Sequence, residues 1–122
     1  MSEQRLLIVD DNLLIRKRIQ SIAEQAGWQS IEAAEDGVEA IQAYQTQRPD
    51  LVTLDIVMPN MDGLQTLERL LEMDSQAQVV MVSAINQKPQ LQRCLELGAI
   101  DFIIKPFDPQ RLHDFFANAL QH

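Results

Sequence analysis

Four short apolar runs each end on a polar residue that the interior of a sheet would exclude. Leu6-Leu7-Ile8-Val9 leads into Asp10-Asp11, and Leu51-Val52-Thr53-Leu54 leads into Asp55. Val79-Val80-Met81-Val82 leads into Ser83, and Phe102-Ile103-Ile104 leads into Lys105-Pro106. Such unbroken apolar runs suit parallel strands whose two faces are both covered. Parallel strands point one way, so their C-terminal ends share one edge of the sheet. Open α/β sheets bind ligands at that edge. Three carboxylates, a hydroxyl and an ammonium are therefore expected to converge there.

Helical patterns fill the intervals. Ile15, Ile19, Ile22, Ala23 and Ala26 recur at helical spacing before a stop at Gly27. Trp28 to Ala33 reads as a weaker strand suited to an edge. Asp36-Gly37 opens a second helix with Val38, Ile41 and Tyr44 or Gln45 on its inner face. Leu64, Leu67, Leu70 and Leu71 mark a third helix, and Leu91, Cys94 and Leu95 a fourth, stopped by Gly98. Asp108 caps a fifth, with Pro109 in its first turn and Leu112, Phe115, Phe116, Ala119 and Leu120 inward. The pattern is (βα) five times over, an α/β doubly wound parallel sheet with helices on both faces. Right-handed crossovers and a weak second strand at one edge give the order 2-1-3-4-5, which sets strands 1 and 3 side by side.

The 122 residues suit one domain, 1–122, and 46% apolar content suits a globular core. Cys94 is alone and reads as a buried, inert thiol. Met1-Ser2-Glu3-Gln4-Arg5 lacks a leader profile and no run reaches a membrane span, so a cytoplasmic protein is expected. A net charge of −8 argues against nucleic acid or an anionic membrane as a direct partner.

Taken singly, the strand-end residues have ordinary roles: a helix cap, a loop-satisfied acid, a solvated lysine. Jointly they do not. Like charges about 4 Å apart repel by about 4 kcal/mol at an effective dielectric near 20, so Asp10, Asp11 and Asp55 need a cation. Mg2+ suits a few carboxylate oxygens plus water. With Lys105 it would make a site for a dianionic phosphoryl group, to which Ser83 can donate a hydrogen bond.

Leu6-Leu7-Ile8-Val9-Asp10-Asp11-Asn12, Leu54-Asp55-Ile56-Val57-Met58-Pro59-Asn60-Met61-Asp62-Gly63, Val82-Ser83-Ala84 and Lys105-Pro106-Phe107 resemble the receiver domain of two-component response regulators. The resemblance covers nearly the whole chain in order, and the third-strand segment is its most specific part. It implies the flavodoxin-like version of the fold. It implies that Asp55 is the phosphoacceptor, attacking phosphohistidine on a sensor histidine kinase or phosphotransfer protein. Asp11, Asp55 and the Val57 carbonyl would bind Mg2+, with Asp10 acting mainly through water on the metal. Lys105 would pair with the carboxylate and then the phosphoryl, and the Lys105-Pro106 peptide would be cis.

Ser83 would sense the phosphoryl, and Phe102, where the family commonly has tyrosine, would turn in response; in the resting state Phe102 reads equally well as core. The output would be a protein partner docking on the fourth helix, fifth strand and fifth helix. Val57 and Ile85 match positions bordering the hydrolytic water, and their apolar branching suggests a long-lived phosphoryl group. The chain would modify only itself rather than turn over a substrate pool. A chemotaxis-type or phosphorelay shuttle is favoured, though a piece of a transcription factor would read the same. A haloacid-dehalogenase-type hydrolase would want its nucleophile on the first strand and a cap. A receiver that has lost phosphorylation would want a degenerate site.

Overall fold

Leu6 and Ile8 face one side of the sheet and Leu7 and Val9 the other, and all four are buried. That two-sided burial is why the strand runs are apolar without alternation. The structure, a computed structural model, describes residues 4–120, the side chain of Ile85 excepted. Met1-Ser2-Glu3, part of the leader reading above, lie outside the described residues.

The elements are β1 (Arg5–Val9), α1 (Leu13–Gln25), β2 (Ser30–Ala34), α2 (Gly37–Gln47), β3 (Leu51–Asp55), α3 (Gly63–Met73), β4 (Val79–Ala84), α4 (Lys88–Leu97), β5 (Asp101–Lys105) and α5 (Pro109–Ala119). A short 3-10 turn, Ile85–Gln87, precedes α4. All strand pairings are parallel and the order is β2-β1-β3-β4-β5, as expected. Helices α1 and α5 cover one face through Ile19, Ile22, Ala23, Leu112 and Phe116. Helices α2, α3 and α4 cover the other through Ala40, Tyr44, Leu67, Leu70, Leu91 and Cys94.

Local chemistry starts the helices where the strands end. Asn12, Asp36, Asp62 and Asp108 each accept a backbone N–H from the first turn with a side-chain oxygen. These caps turn the chain back under the sheet within a few residues, which keeps the C-terminal edge open.

Three details differ from the sequence reading. Strand β2 begins at Ser30, because Trp28 is buried against α5 and its indole N–H donates to the Phe116 carbonyl at 2.9 Å. On α2 the inward stripe is Gly37, Ala40 and Tyr44, and Val38 is exposed. Gly37 leads that stripe because a Cβ there would overlap the Thr66 hydroxyl and crowd Met61. Leu95 lies at the rim of α4, whereas Cys94 is fully buried and burial pushes its thiol up to about 11.

Gly63 ties this architecture to the edge. Its N–H donates to the Ile56 carbonyl at 2.7 Å, closing the loop after β3. A Cβ on it would overlap the Asp55 carbonyl and come within 2.6 Å of the Ile56 Cα. Both obstacles are backbone and cannot rotate away. Gly63→Ala should therefore cost about 3 kcal/mol, the upper range for overpacking. Urea unfolding followed by circular dichroism checks this, and an unchanged midpoint would contradict the packing described.

Candidate functional site

Strand order places the ends of β1, β3, β4 and β5 side by side, so Asp10, Asp55, Ser83 and Lys105 meet on one edge. One carboxylate oxygen from each of Asp10, Asp11 and Asp55 lies within 4.8 Å of the others. Lys105 Nζ sits 2.9 Å from Asp10 Oδ2 and 3.4 Å from Asp55 Oδ2. Asp10 is 1% exposed and Asp55 6%, whereas Asp11 is open to solvent.

Asp10 is the most committed member. Its Oδ1 accepts the Asn12 N–H at 2.9 Å and its Oδ2 the Lys105 ammonium. Its N–H donates to the Ala34 carbonyl, and its own carbonyl accepts from the Arg16 guanidinium at 2.7 Å. Both carboxylate oxygens are engaged, which leaves Asp11 and Asp55 as the freer pair.

Burial pushes the Asp55 carboxyl up from 3.8 to about 6, helped by the Asp10 charge and opposed by Lys105. Burial disfavours the Lys105 ammonium, but the hydrogen bond to Asp10 and the charges of Asp55 and Asp10 outweigh it. Its pKa is raised above the ordinary 10.5. Lys105 therefore stays charged while Asp55 titrates just below neutrality.

Three carboxylates against one ammonium leave a net charge of two negatives. A divalent cation closes that balance, and an all-oxygen donor set suits a hard ion such as Mg2+. Asp10, Asp11 and Asp55 fit the metal on charge and donor type.

The remaining expected residues are placed as follows. Val57 lies in the loop after β3, 57% exposed. Ser83 is buried at the end of β4, and its hydroxyl donates to the Ala84 carbonyl at 2.8 Å. The Ala84 N–H donates to Gln87 Oε1 at 3.0 Å. Phe102 is 39% exposed on β5, so it is a surface ring rather than core. The Lys105–Pro106 peptide is cis. The side chain of Ile85 lies outside the described residues.

Sequence reasoning missed Arg16. Its guanidinium is buried behind Asp10 and reaches Glu35 Oε1 at 3.6 Å. The signal was present: Arg16, Ile19 and Ala23 share one helical stripe, so a cation was placed among core positions. Sequence reasoning also missed Asn60, whose side chain donates to Asp36 at 2.8 Å.

The electrostatic cost at Asp55 has a measurable sign. A carboxyl raised in the folded state destabilises the fold once ionised, so stability should fall as pH rises from 3.8 through about 6. Asp55→Asn removes that cost. Without metal it should be more stable than wild type by up to about 3 kcal/mol at about pH 7.5, and the gain should vanish towards about pH 4. Urea unfolding in chelator at both pH values decides this, and no gain at the higher pH would contradict it.

Comparison with known proteins agrees with the geometry. Residues 6–117 match the family model of the response regulator receiver domain. The chain is 39% identical over 119 residues to the chemotaxis protein CheY of Treponema pallidum, covering 96% of this chain and 83% of that protein. It is 35% identical to sporulation initiation phosphotransferase F of Bacillus subtilis, covering 93% of this chain and 91% of that protein. Among solved structures it is similar to the CheX–CheY–beryllofluoride–Mg2+ complex of Borrelia burgdorferi. There the TM-score is 0.85 and the identity 38%, over 91% of this chain and 84% of that one.

Proposed function

The chain belongs to the response regulator receiver domain family, and from that premise we propose that it is a phosphoacceptor of a two-component pathway that signals by protein contact. The observation that carries this reading is Asp55 itself. It is a buried carboxylate at the sheet's C-terminal edge, 3.4 Å from an ammonium and grouped with two further acids.

In this reading an Asp55 oxygen attacks phosphorus on a phosphohistidine. An O–P bond forms, the N–P bond breaks, and its electron pair leaves on the imidazole. Lys105 holds the phosphoryl oxygens after transfer. Asp11, Asp55 and the Val57 carbonyl hold Mg2+, backed by Asp10. The ion's contribution is to neutralise charge on the transferring group. The Borrelia CheY structure, which carries beryllofluoride and Mg2+, supports the assignment by likeness.

Signalling begins at Ser83. Its hydroxyl now serves the Ala84 carbonyl and would exchange that partner for a phosphoryl oxygen, drawing the loop before α4 inward. Phe102, at the surface of β5, would turn into the space so made. The face of α4, β5 and α5 would then present a different shape to a protein partner. Kinase or phosphotransfer protein on one side and protein target on the other make a chemotaxis-type or relay shuttle the favoured setting. No described helix is long and apolar enough to cross a membrane. The chain acts on itself and is not proposed to turn over a substrate pool.

Acetyl phosphate with Mg2+ should place one phosphoryl group on the wild type and none on Asp55→Asn, read by intact mass. Phosphorylation of the variant at the wild-type rate would overturn the assignment. Because attack needs the carboxylate, and Asp55 is held up at about 6, the rate at limiting Mg2+ should fall as pH drops through that value. Replacing Val57 and Ile85 together with Asn should hasten phosphate loss, since polar groups admit and orient water. An unchanged lifetime would refute the shielding role.

A further inference from the structure

The Asp36 carboxylate spans two elements. Its Oδ1 accepts the Glu39 N–H at 2.9 Å and so caps α2. Its Oδ2 accepts the Asn60 side-chain amide at 2.8 Å. Asn60 stands at the tip of the loop after β3 with a left-handed φ of 69°, a conformation that asparagine tolerates better than most residues. The base of the same loop is closed by Gly63 N–H to the Ile56 carbonyl, and Val57 lies between the two fastenings. The start of α2 also presses directly on the loop, since a Cβ on Gly37 would stand 2.9 Å from both Cβ and O of Met61. The hydrogen bond from the Glu39 N–H, and then that from Asn60, hold the Asp36 carboxyl below the ordinary 3.8, so it is ionised at neutral pH.

We propose that Asp36 is a positioning residue for the metal site, holding through Asn60 the loop that presents the Val57 carbonyl and so coupling metal affinity to the start of α2. The inference rests on the reading of Asp10, Asp11, Asp55 and Val57 as a Mg2+ site. Neither Asp36 nor Asn60 is assigned to bind the ion. Their effect is to restrict where the loop backbone can lie, as outer partners commonly do around a metal.

The substitutions can be chosen to spare the fold. Asp36→Ser keeps a helix cap but has one oxygen to give. Asn60→Gly keeps the left-handed backbone and loses the amide. Asp36→Asn can still cap α2 through its one oxygen, and its amide N–H can donate to the Asn60 side-chain oxygen once the Asn60 amide turns over, so the link is kept and this is the conservative rescue.

Mg2+ dissociation constants from calorimetry should rise about tenfold in Asp36→Ser and in Asn60→Gly, with no further rise in the double variant. Asp36→Asn should stay within about twofold of wild type. With acetyl phosphate, the Mg2+ concentration giving half-maximal rate should shift in parallel while the rate at saturating Mg2+ holds. Unchanged Mg2+ affinity with lowered unfolding temperature would mean a purely structural cap and overturn the proposal, as would additive effects in the double variant. Asp55→Asn separates the two levels of the argument. If it binds Mg2+ as wild type does, the site assignment itself is wrong and the positioning role falls with it.

Discussion

Burying Asp10 and Asp55 side by side is the constraint on which the rest of the structure depends. Two carboxylates out of water repel, and each loses hydration that must be replaced. The Lys105 ammonium and the Asn12 N–H supply the replacement at the Asp10 carboxylate, while the Arg16 guanidinium takes up the Asp10 backbone carbonyl. These groups come from β5, from the cap of α1 and from within α1, so the arrangement exists only when the whole parallel sheet is assembled. The apolar strand interiors follow from the same demand. A sheet that collects charge at one edge has to be held by burial on both faces.

The helices serve that edge as well as the core. Helices α1, α2 and α3 begin just past the ends of β1, β2 and β3, so their positive N-terminal ends share the side of the sheet that carries the acids. Their capping residues also fasten the loops. Asp62 caps α3, and Asp36 caps α2 while reaching the loop after β3. On the proposed reading the site would hold an ion and then a phosphoryl group, which needs loops whose backbone is not free to wander.

Much of this was legible in the sequence because the physics behind it is local. Apolar run length gave the strands, spacing gave the helix faces, and the polar strand ends gave Asp10, Asp55, Ser83 and Lys105. What escaped was non-local. Trp28 looked like strand, because only tertiary structure offers its indole the Phe116 carbonyl. Val38 looked inward, because the close approach of α2 to α3 at Gly37, which turns it outward, cannot be read from periodicity. Arg16 stands on the buried stripe of α1, but in the run Arg16-Lys17-Arg18 each cation would ordinarily extend to water, so spacing alone does not single it out. Asn60 and Asp36 are 24 residues apart, and no pattern within either segment announces their bond.

The ammonium that offsets the acids is carried by the least sheltered strand. Strand β5 lies at one end of the sheet, pairs among the described residues with β4 alone, and none of its five residues is fully buried. The site's counter-charge is thus mounted on the margin of the molecule while its acids are rooted in the middle. Leverage runs from rim to centre: whatever steadies or disturbs that outer strand alters the electrostatic balance at Asp55 without touching it. By linkage, a change of charge at Asp55 must alter how firmly the rim is held.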